Sequence, residues 1–239
     1  MDPLGAGEPT PMWGLGEVAV GILSSLVLST FVGALIIGVA GWKTSDDIPV
    51  WGMALLQIPL WGGYLGAVIV AGRRFGNGVV ADFGVRQRWF DLPIGLVIGI
   101  VTQLIVLPVI YLPILWALGT DQDELSRPAR ELADRADSTV GWILFALIVG
   151  VGAPVVEELF YRGLFLRSLR KKGIGPVLCV VISAAVFAAI HFQPLQFPGL
   201  MVFGLVAGTL VARTGRLGPA VWAHIGFNST AALSLYLSS

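Results

Sequence analysis

The sequence predicts an all-α fold, a polytopic transmembrane helical bundle with about seven spanning helices. Three observations lead to this prediction. Hydrophobic residues make up 56% of the 239 residues and charged residues only 13%, whereas a soluble domain carries about 25% charged residues. Long apolar runs recur along the chain, whose mean hydropathy is +0.83. Lysine and arginine are concentrated in alternate connecting loops, as in many membrane proteins.

Each predicted helix rests on an apolar run, most of them close to the roughly 20 residues that cross a bilayer. The first three runs are clear, whereas the sixth is short and is expected to be tilted, extended or partly buried in protein. Pairs of glycines four residues apart in three of the runs permit close helix approach. The runs lie near Val18–Trp42, Val50–Gly72, Leu92–Leu118, Val140–Glu157, Pro176–Phe192, Gly199–Ala212 and Pro219–Leu237, with glycine pairs at Gly62/Gly66, Gly95/Gly99 and Gly204/Gly208.

The loop charges predict the orientation of the bundle. An N-terminus in the cytoplasm places 11 Lys and Arg residues on the cytoplasmic side and 4 outside, and the opposite orientation reverses that ratio. We therefore expect an integral protein of a bacterial plasma membrane, with residues 1–239 forming one transmembrane domain. Residues 1–16 are rich in proline and glycine and lack a basic segment, so we expect a flexible cytoplasmic N-terminus rather than a removable signal peptide.

A charged stretch at 121–138 separates the third run from the fourth and predicts a solvated surface helix that opens near Pro128. Its residues are spaced for i,i+4 ion pairs at Arg127/Glu131, Arg130/Asp134 and Glu131/Arg135. The whole chain has 15 basic and 15 acidic residues, so its charge gives no reason to expect a nucleic acid partner. Because Cys179 is the single cysteine, no internal disulfide can form.

Two adjacent carboxylates end the fourth apolar run, and an ionisable residue inside a membrane segment indicates a functional site. They begin the sequence Glu157-Glu158-Leu-Phe-Tyr-Arg162. On a helix Glu158 and Arg162 share a face and can pair, whereas Glu157 points about 100° away. One carboxylate can then be held by the arginine while its neighbour faces a cavity.

The two histidines of the chain also lie in apolar runs, each with a partner four residues away: Phe187 precedes His191, and Asn228 follows His224. A histidine in an apolar helix is often a satisfied core residue, but both occurring with such partners beside the Glu-Glu-x-x-x-Arg block favours function. A turn at 172–176 would place Glu157 and His191 at nearly the same height in an antiparallel hairpin, roughly 25 Å from the turn. We therefore expect them to face each other.

These three blocks, in this order, resemble the CAAX-prenyl-protease/Abi family of intramembrane proteases, often called CPBP. The family pattern is a Glu-Glu-x-x-x-Arg block, a Phe-x-x-x-His block and a His-x-x-x-Asn block on successive core helices. The resemblance covers roughly Gly141 to Ser239, so catalytic core motifs are expected in 141–239. The N-terminal helices are similar to the family only in being hydrophobic.

The resemblance implies hydrolysis of a peptide bond of a membrane-associated protein or peptide by activated water, without an acyl-enzyme. Glu157 would be the base that takes the proton from water, and His191 would position that water or bind a metal ion. Zn²⁺ is the cofactor of the metal-assisted alternative, with Glu157, His191 and His224 as ligands. Their spacing differs from the His-Glu-x-x-His pattern of zinc proteases, so metal dependence stays open.

The resemblance also gives supporting roles to the remaining site residues. His224 and Asn228 would stabilise the oxyanion or complete a metal site, and Glu158 and Arg162 would form a supporting pair. Two other functions stay open for this chain. One is a non-catalytic membrane factor on the same scaffold, for bacteriocin immunity or assembly. The other is a proton-coupled transporter, although no paired repeat with broken helices is visible.

Overall fold

The computed structural model describes residues 11–238, and no β-strand occurs among them. The predicted all-α fold is therefore confirmed for this part of the chain. Short helical turns at Ser45–Asp47 and Val79–Asp82 follow the first two long helices. The main helices are α1 (Leu15–Ala40), α2 (Val50–Arg74), α3 (Asp91–Leu118), α4 (Gln122–Ala133), α5 (Thr139–Lys171), α6 (Pro176–Ala189), α7 (Phe197–Thr214) and α8 (Gly218–Ser238).

Five of these helices, α1, α2, α3, α5 and α7, are long and apolar enough to cross a membrane. The two remaining predicted spans also form helices. However, α6 has only 14 residues, and α8, with 21 residues, is not among the five. An integral membrane bundle fits these helices, and the count of seven spans stays a prediction.

Helix α5 is the central element, and it is unusually long. It runs through 33 residues, so it is about 50 Å long, well beyond the roughly 30 Å hydrocarbon core of a bilayer. The helix continues past Glu157 through its basic end and stops at the turn expected at 172–176. Gly173, with φ of 78°, follows the helix, and Pro176 begins α6, as expected for a helix stop and a helix start.

The helices pack in pairs around α5, with α1 along α2, α3 along α8, and α6 along α7. Two of the three predicted glycine pairs mediate this packing. A Cβ atom at Gly99 would overlap the backbone of Ala223 in α8, and one at Gly204 would lie 2.8 Å from the Ala184 side chain in α6. The third pair, Gly62/Gly66, faces open space, and the neighbouring Gly63 contacts Ser25 of α1 instead.

The charged connector forms a surface helix as predicted, but its start and its ion pairs differ from the prediction. Helix α4 opens after Asp121, whose side chain accepts a hydrogen bond from the Glu124 N–H at 3.0 Å, and Pro128 lies inside it. The expected i,i+4 pairs are not formed, because each arginine has another acidic side chain within reach. The observed pairs are Arg127–Glu124 at 2.9 Å, Arg130–Asp123 at 2.5 Å and Arg135–Asp46 at 4.0 Å.

The segment before α1 packs on the end of α5. Trp13 is 4% exposed, and its indole donates to Asp82 at 2.9 Å. The Lys171 ammonium donates to the Trp13 carbonyl oxygen and stands 4.2 Å from the centre of the indole ring. Of the N-terminal segment predicted to be flexible, residues 1–10 lie outside the described residues.

Candidate active site

The predicted pair of Glu158 and Arg162 is present at the centre of the bundle. Both side chains are 0% exposed, and an Arg162 Nη1–H donates to Glu158 Oε1 over 3.0 Å. The other end of the guanidinium donates to the Gly204 carbonyl of α7 at 3.2 Å, and its carbon lies 4.6 Å from the Phe187 ring centre in α6. Arg162 thus ties α5 to the two helices that follow it.

His224 of α8 joins the same carboxylate. Its Nδ1 lies 2.9 Å from Glu158 Oε1, and because an ionised carboxylate only accepts hydrogen bonds, we assign the donating proton to Nδ1. Its Nε2 lies 3.8 Å from Glu157 Oε2, which is beyond hydrogen-bond distance. Glu158 therefore fixes the ring orientation, and the opposite ring edge faces Glu157.

The two adjacent carboxylates have different surroundings. The side chain of Glu157 is 18% exposed, whereas that of Glu158 is fully buried. Glu157 makes no hydrogen bond to the protein within the described residues, and its nearby polar neighbour is His224, at 3.8 Å. Glu157 is therefore the carboxylate that is open to a water molecule or a substrate, which agrees with the divergence predicted from helix geometry.

His191 lies just beyond the end of α6, not inside it. The expected run to Phe192 ends as a helix at Ala189, because Phe192 has a left-handed backbone with φ of 54°. The Nδ1 of His191 lies 2.6 Å from the Phe187 carbonyl oxygen. A carbonyl only accepts, so the proton is assigned to Nδ1, and Nε2 is left as an acceptor.

Phe187 stands between the two imidazoles. Its ring centre is 4.8 Å from that of His191 and 5.9 Å from that of His224. Among the described residues no ion pair joins His191 to Glu157, and the expectation that the two side chains face each other stays a prediction. The structure places these two residues in one cluster, linked through Phe187 and His224.

Asn228 lies one turn after His224 in α8 and holds a carbonyl that its own helix leaves free. Val149 belongs to a wide π-helical turn of α5 at Ile148–Gly152, where the Ala153 N–H donates to Ile148. Pro154 has no N–H to offer. The Asn228 amide therefore donates to the Val149 carbonyl at 2.9 Å. This bond leaves the second amide proton of Asn228 available to another acceptor.

The expected zinc ligands are not assembled in this arrangement. Among the described residues, no three His, Cys, Asp or Glu side chains are grouped so that they could hold a metal ion. Glu157 and His224 are near neighbours, but Phe187 separates His191 from His224. We therefore derive no step through a metal ion.

Two tyrosines beside this cluster were not found from the sequence. The hydroxyl oxygens of Tyr64 in α2 and Tyr161 in α5 are 3.0 Å apart, and these residues are 5% and 1% exposed. Tyr161 follows Glu157 by four residues, and this spacing places the two residues on the same face of a helix. Nothing in the sequence pointed to Tyr64, since it lies outside the predicted core of 141–239.

The fold and the site together define a polytopic membrane protein with a buried cluster of glutamate, arginine and histidine. Residues 139–230 match the family model described as Type II CAAX prenyl endopeptidase Rce1-like. This match confirms the resemblance over that segment, which is similar to a family of CAAX proteases. No curated protein and no solved structure matches the chain. The matched segment contains all six predicted site residues, whereas α1 to α4 lie outside it.

Proposed function

We propose that the protein is an intramembrane endopeptidase that hydrolyses a peptide bond of a membrane-associated protein or peptide, with Glu157 as the base. The observation that carries this proposal is the contrast between the two adjacent carboxylates. Glu158 is neutralised by Arg162 at 0% exposure, whereas Glu157 is 18% exposed and faces His224. A carboxylate placed in this way can accept a proton from water inside an otherwise apolar site.

The proposed reaction begins when Glu157 takes a proton from a water molecule, whose oxygen attacks the carbonyl carbon of the scissile bond. The carbonyl π electrons move to oxygen and give a tetrahedral oxyanion. When the oxyanion collapses, the C–N bond breaks, and the proton held by Glu157 passes to the leaving amine. The products are a carboxylic acid and an amine, and Glu157 returns to its starting state. No residue becomes acylated.

His191 is proposed to orient the attacking water. Its Nδ1–H is used by the Phe187 carbonyl at 2.6 Å, so the unprotonated Nε2 is free to accept a hydrogen bond from water. In this tautomer the Nε2 atom can hold a water molecule beside Glu157. The exposed turn after α6 then serves as the side from which water reaches the site.

His224 and Asn228 are proposed to stabilise the oxyanion. Asn228 has one amide proton left after its bond to Val149, and His224 turns its Nε2 edge toward Glu157. A protonated Nε2 on His224 would donate to the oxyanion while Nδ1–H stays bonded to Glu158. The buried pair of Glu158 and Arg162 holds this ring in place and so pre-organises the donor.

Zn²⁺ held by Glu157, His191 and His224 is the metal-assisted form of the same proposal. It would require a movement that brings the three side chains together, because they are not grouped in the present arrangement. A chelator experiment, described in the Discussion, separates the two forms.

We also propose that the protein lies in a bacterial plasma membrane with its N-terminus in the cytoplasm. The support is the excess of 11 over 4 basic residues in alternate loops, together with the prediction of seven spans. Labelling of single cysteines introduced in the connector at 121–138, in intact cells with a membrane-impermeant reagent, tests this orientation. Cysteines at 121–138 are expected to be labelled in intact cells. Labelling only after the cells are disrupted would show the opposite orientation.

The function is tested by comparative proteomics of the membrane fraction from cells that carry the wild-type protein or Glu157→Gln. A catalytic base predicts that at least one membrane-associated precursor accumulates in the variant and that its cleaved fragment disappears. Glu131→Gln is the matched control, because Glu131 lies on the exposed helix α4, away from the site. Identical fragment patterns in wild type and Glu157→Gln, at equal protein levels, would overturn the proposal.

A further inference from the structure

A buried pair of phenols lies beside the proposed base, and no role has yet been given to it. Tyr64 in α2 and Tyr161 in α5 have hydroxyl oxygens 3.0 Å apart. Both rings are held by aromatic neighbours: Tyr64 packs 4.4 Å from Phe160, and Tyr161 packs 5.3 Å from Phe187, measured between ring centres. The hydroxyl groups therefore have fixed positions in the core, next to the cluster that contains the two histidines.

The two hydroxyls cannot satisfy each other's hydrogen-bonding capacity. Each phenol has one O–H to donate, and a bond between the two hydroxyls uses only one of the two protons. No hydrogen bond joins the nearby Ser183 hydroxyl to either phenol, and this hydroxyl donates to the backbone carbonyl of Tyr161 at 3.1 Å. Within the described residues, one buried phenolic proton is thus left without an acceptor from the protein, which is unfavourable in the core.

The neighbouring anion is Glu157. Tyr161 follows Glu157 by four residues on α5, so the two side chains leave the helix on the same side. Glu157 itself has lone pairs to spare, since its described partner is His224 at 3.8 Å, beyond hydrogen-bond distance. A donor without an acceptor and an acceptor without a close donor therefore occur on the same side of α5.

We propose that Tyr64 and Tyr161 are positioning residues for Glu157, and that the free phenolic proton is donated to the Glu157 carboxylate across one water molecule. This hydrogen bond fixes the carboxylate in the orientation that takes the proton from the attacking water. The inference rests on the proposed role of Glu157. It also gives α2 a part in the site, although α2 lies outside the segment that matches the family.

The test uses purified full-length protein in proteoliposomes and the substrate peptide found by proteomics. Tyr64→Phe and Tyr161→Phe keep the aromatic packing and remove one hydroxyl each. We expect kcat to fall at least about tenfold in each variant, the effect of one hydrogen bond to a charged group, with KM unchanged. Tm should fall only slightly, because each variant loses one neutral hydrogen bond between the phenols. Since the two hydroxyls act as one unit, the double variant should be no slower than the slower single variant.

Ser183→Ala is the matched control, because it removes a buried hydroxyl that contacts the Tyr161 backbone and not its phenol. Its kcat is expected to stay within about twofold of wild type. Wild-type kcat in Tyr64→Phe would overturn the inference, as would an equal loss in Ser183→Ala. If Glu157→Gln retains cleavage, the proposed function itself fails. If Glu157→Gln is inactive and both tyrosine variants are fully active, only the present inference fails.

Discussion

Replacement of Arg162 by methionine leaves the Glu158 carboxylate buried at the centre of the bundle without its cation. Both side chains are 0% exposed, so water cannot replace the lost partner. Breaking a buried ion pair from one side costs about 3–5 kcal/mol. The variant also loses the hydrogen bond to the Gly204 carbonyl and the contact with the Phe187 ring. We therefore expect the free energy of unfolding of Arg162→Met to fall by at least about 3 kcal/mol.

The assay is equilibrium unfolding in mixed micelles, with Arg127→Met as the matched control. Arg127 pairs with Glu124 at 2.9 Å, but these side chains are 62% and 46% exposed, so this loss should cost less than about 1 kcal/mol. The double variant Glu158→Gln/Arg162→Met removes both buried charges and keeps an oxygen for His224. It should be more stable than Arg162→Met alone. Equal losses for Arg162 and Arg127, or additive effects in the double variant, would refute the reasoning.

Three further predictions follow from the packing, the loop charges and the mechanism. Gly99→Ala should lower Tm by several degrees, because its new methyl group meets the α8 backbone. Gly62→Ala should leave Tm unchanged in the same thermal scan, because Gly62 faces open space. Equal effects of the two substitutions on Tm would contradict the observed interface. Backbone N–H groups of Thr44 and Lys43 lower the pKa of Asp47 below its usual value of 3.8. The stability contributed by this turn is therefore present above pH 3.8 and lost as the pH falls through the lowered pKa. Asp47→Asn should remove this pH dependence in acid titrations of unfolding, and an acid profile equal to that of wild type would count against the prediction. A mechanism that uses protein groups alone predicts the same cleavage rate with and without a strong zinc chelator. Cleavage that the chelator abolishes and added Zn²⁺ restores would favour the metal-assisted form.

Local features of the sequence predicted local features of the structure. The pairing of Glu158 with Arg162 needs only a helix and a spacing of four residues, and the structure has it at 3.0 Å. The stop and start around Gly173 likewise depend on neighbouring residues alone. The divergence of Glu157 from Glu158 follows from the same helical geometry and appears as different exposure of the two side chains.

Features that depend on distant parts of the chain could not be read in this way. The contact of Tyr64 with Tyr161 joins residues 97 positions apart, so it depends on how α2 packs on α5. Gly63 rather than Gly62 contacts α1, because this contact depends on the rotation of α2 about its own axis. The bond from Asn228 to Val149 depends on a wide turn that apolar periodicity does not reveal.

The position of His191 beyond the end of α6 has a similar cause. Equal distances from the turn place two residues at the same height in a hairpin, but height alone does not fix the direction of their side chains. Helix α6 ends at Ala189, before His191, and the backbone turns at Phe192, which has a left-handed conformation. The Phe187 ring then fills the space between the two imidazoles.

The most direct test of the account is the single-turnover cleavage rate of purified protein in proteoliposomes, measured for wild type, Glu157→Gln and Glu131→Gln. Glu157→Gln keeps the size of the side chain and removes its capacity to accept a proton from water. The account predicts a loss of at least about a hundredfold in Glu157→Gln, typical for a general base, and a wild-type rate in Glu131→Gln. A Glu157→Gln rate within a few fold of wild type would contradict the central claim that Glu157 activates the water.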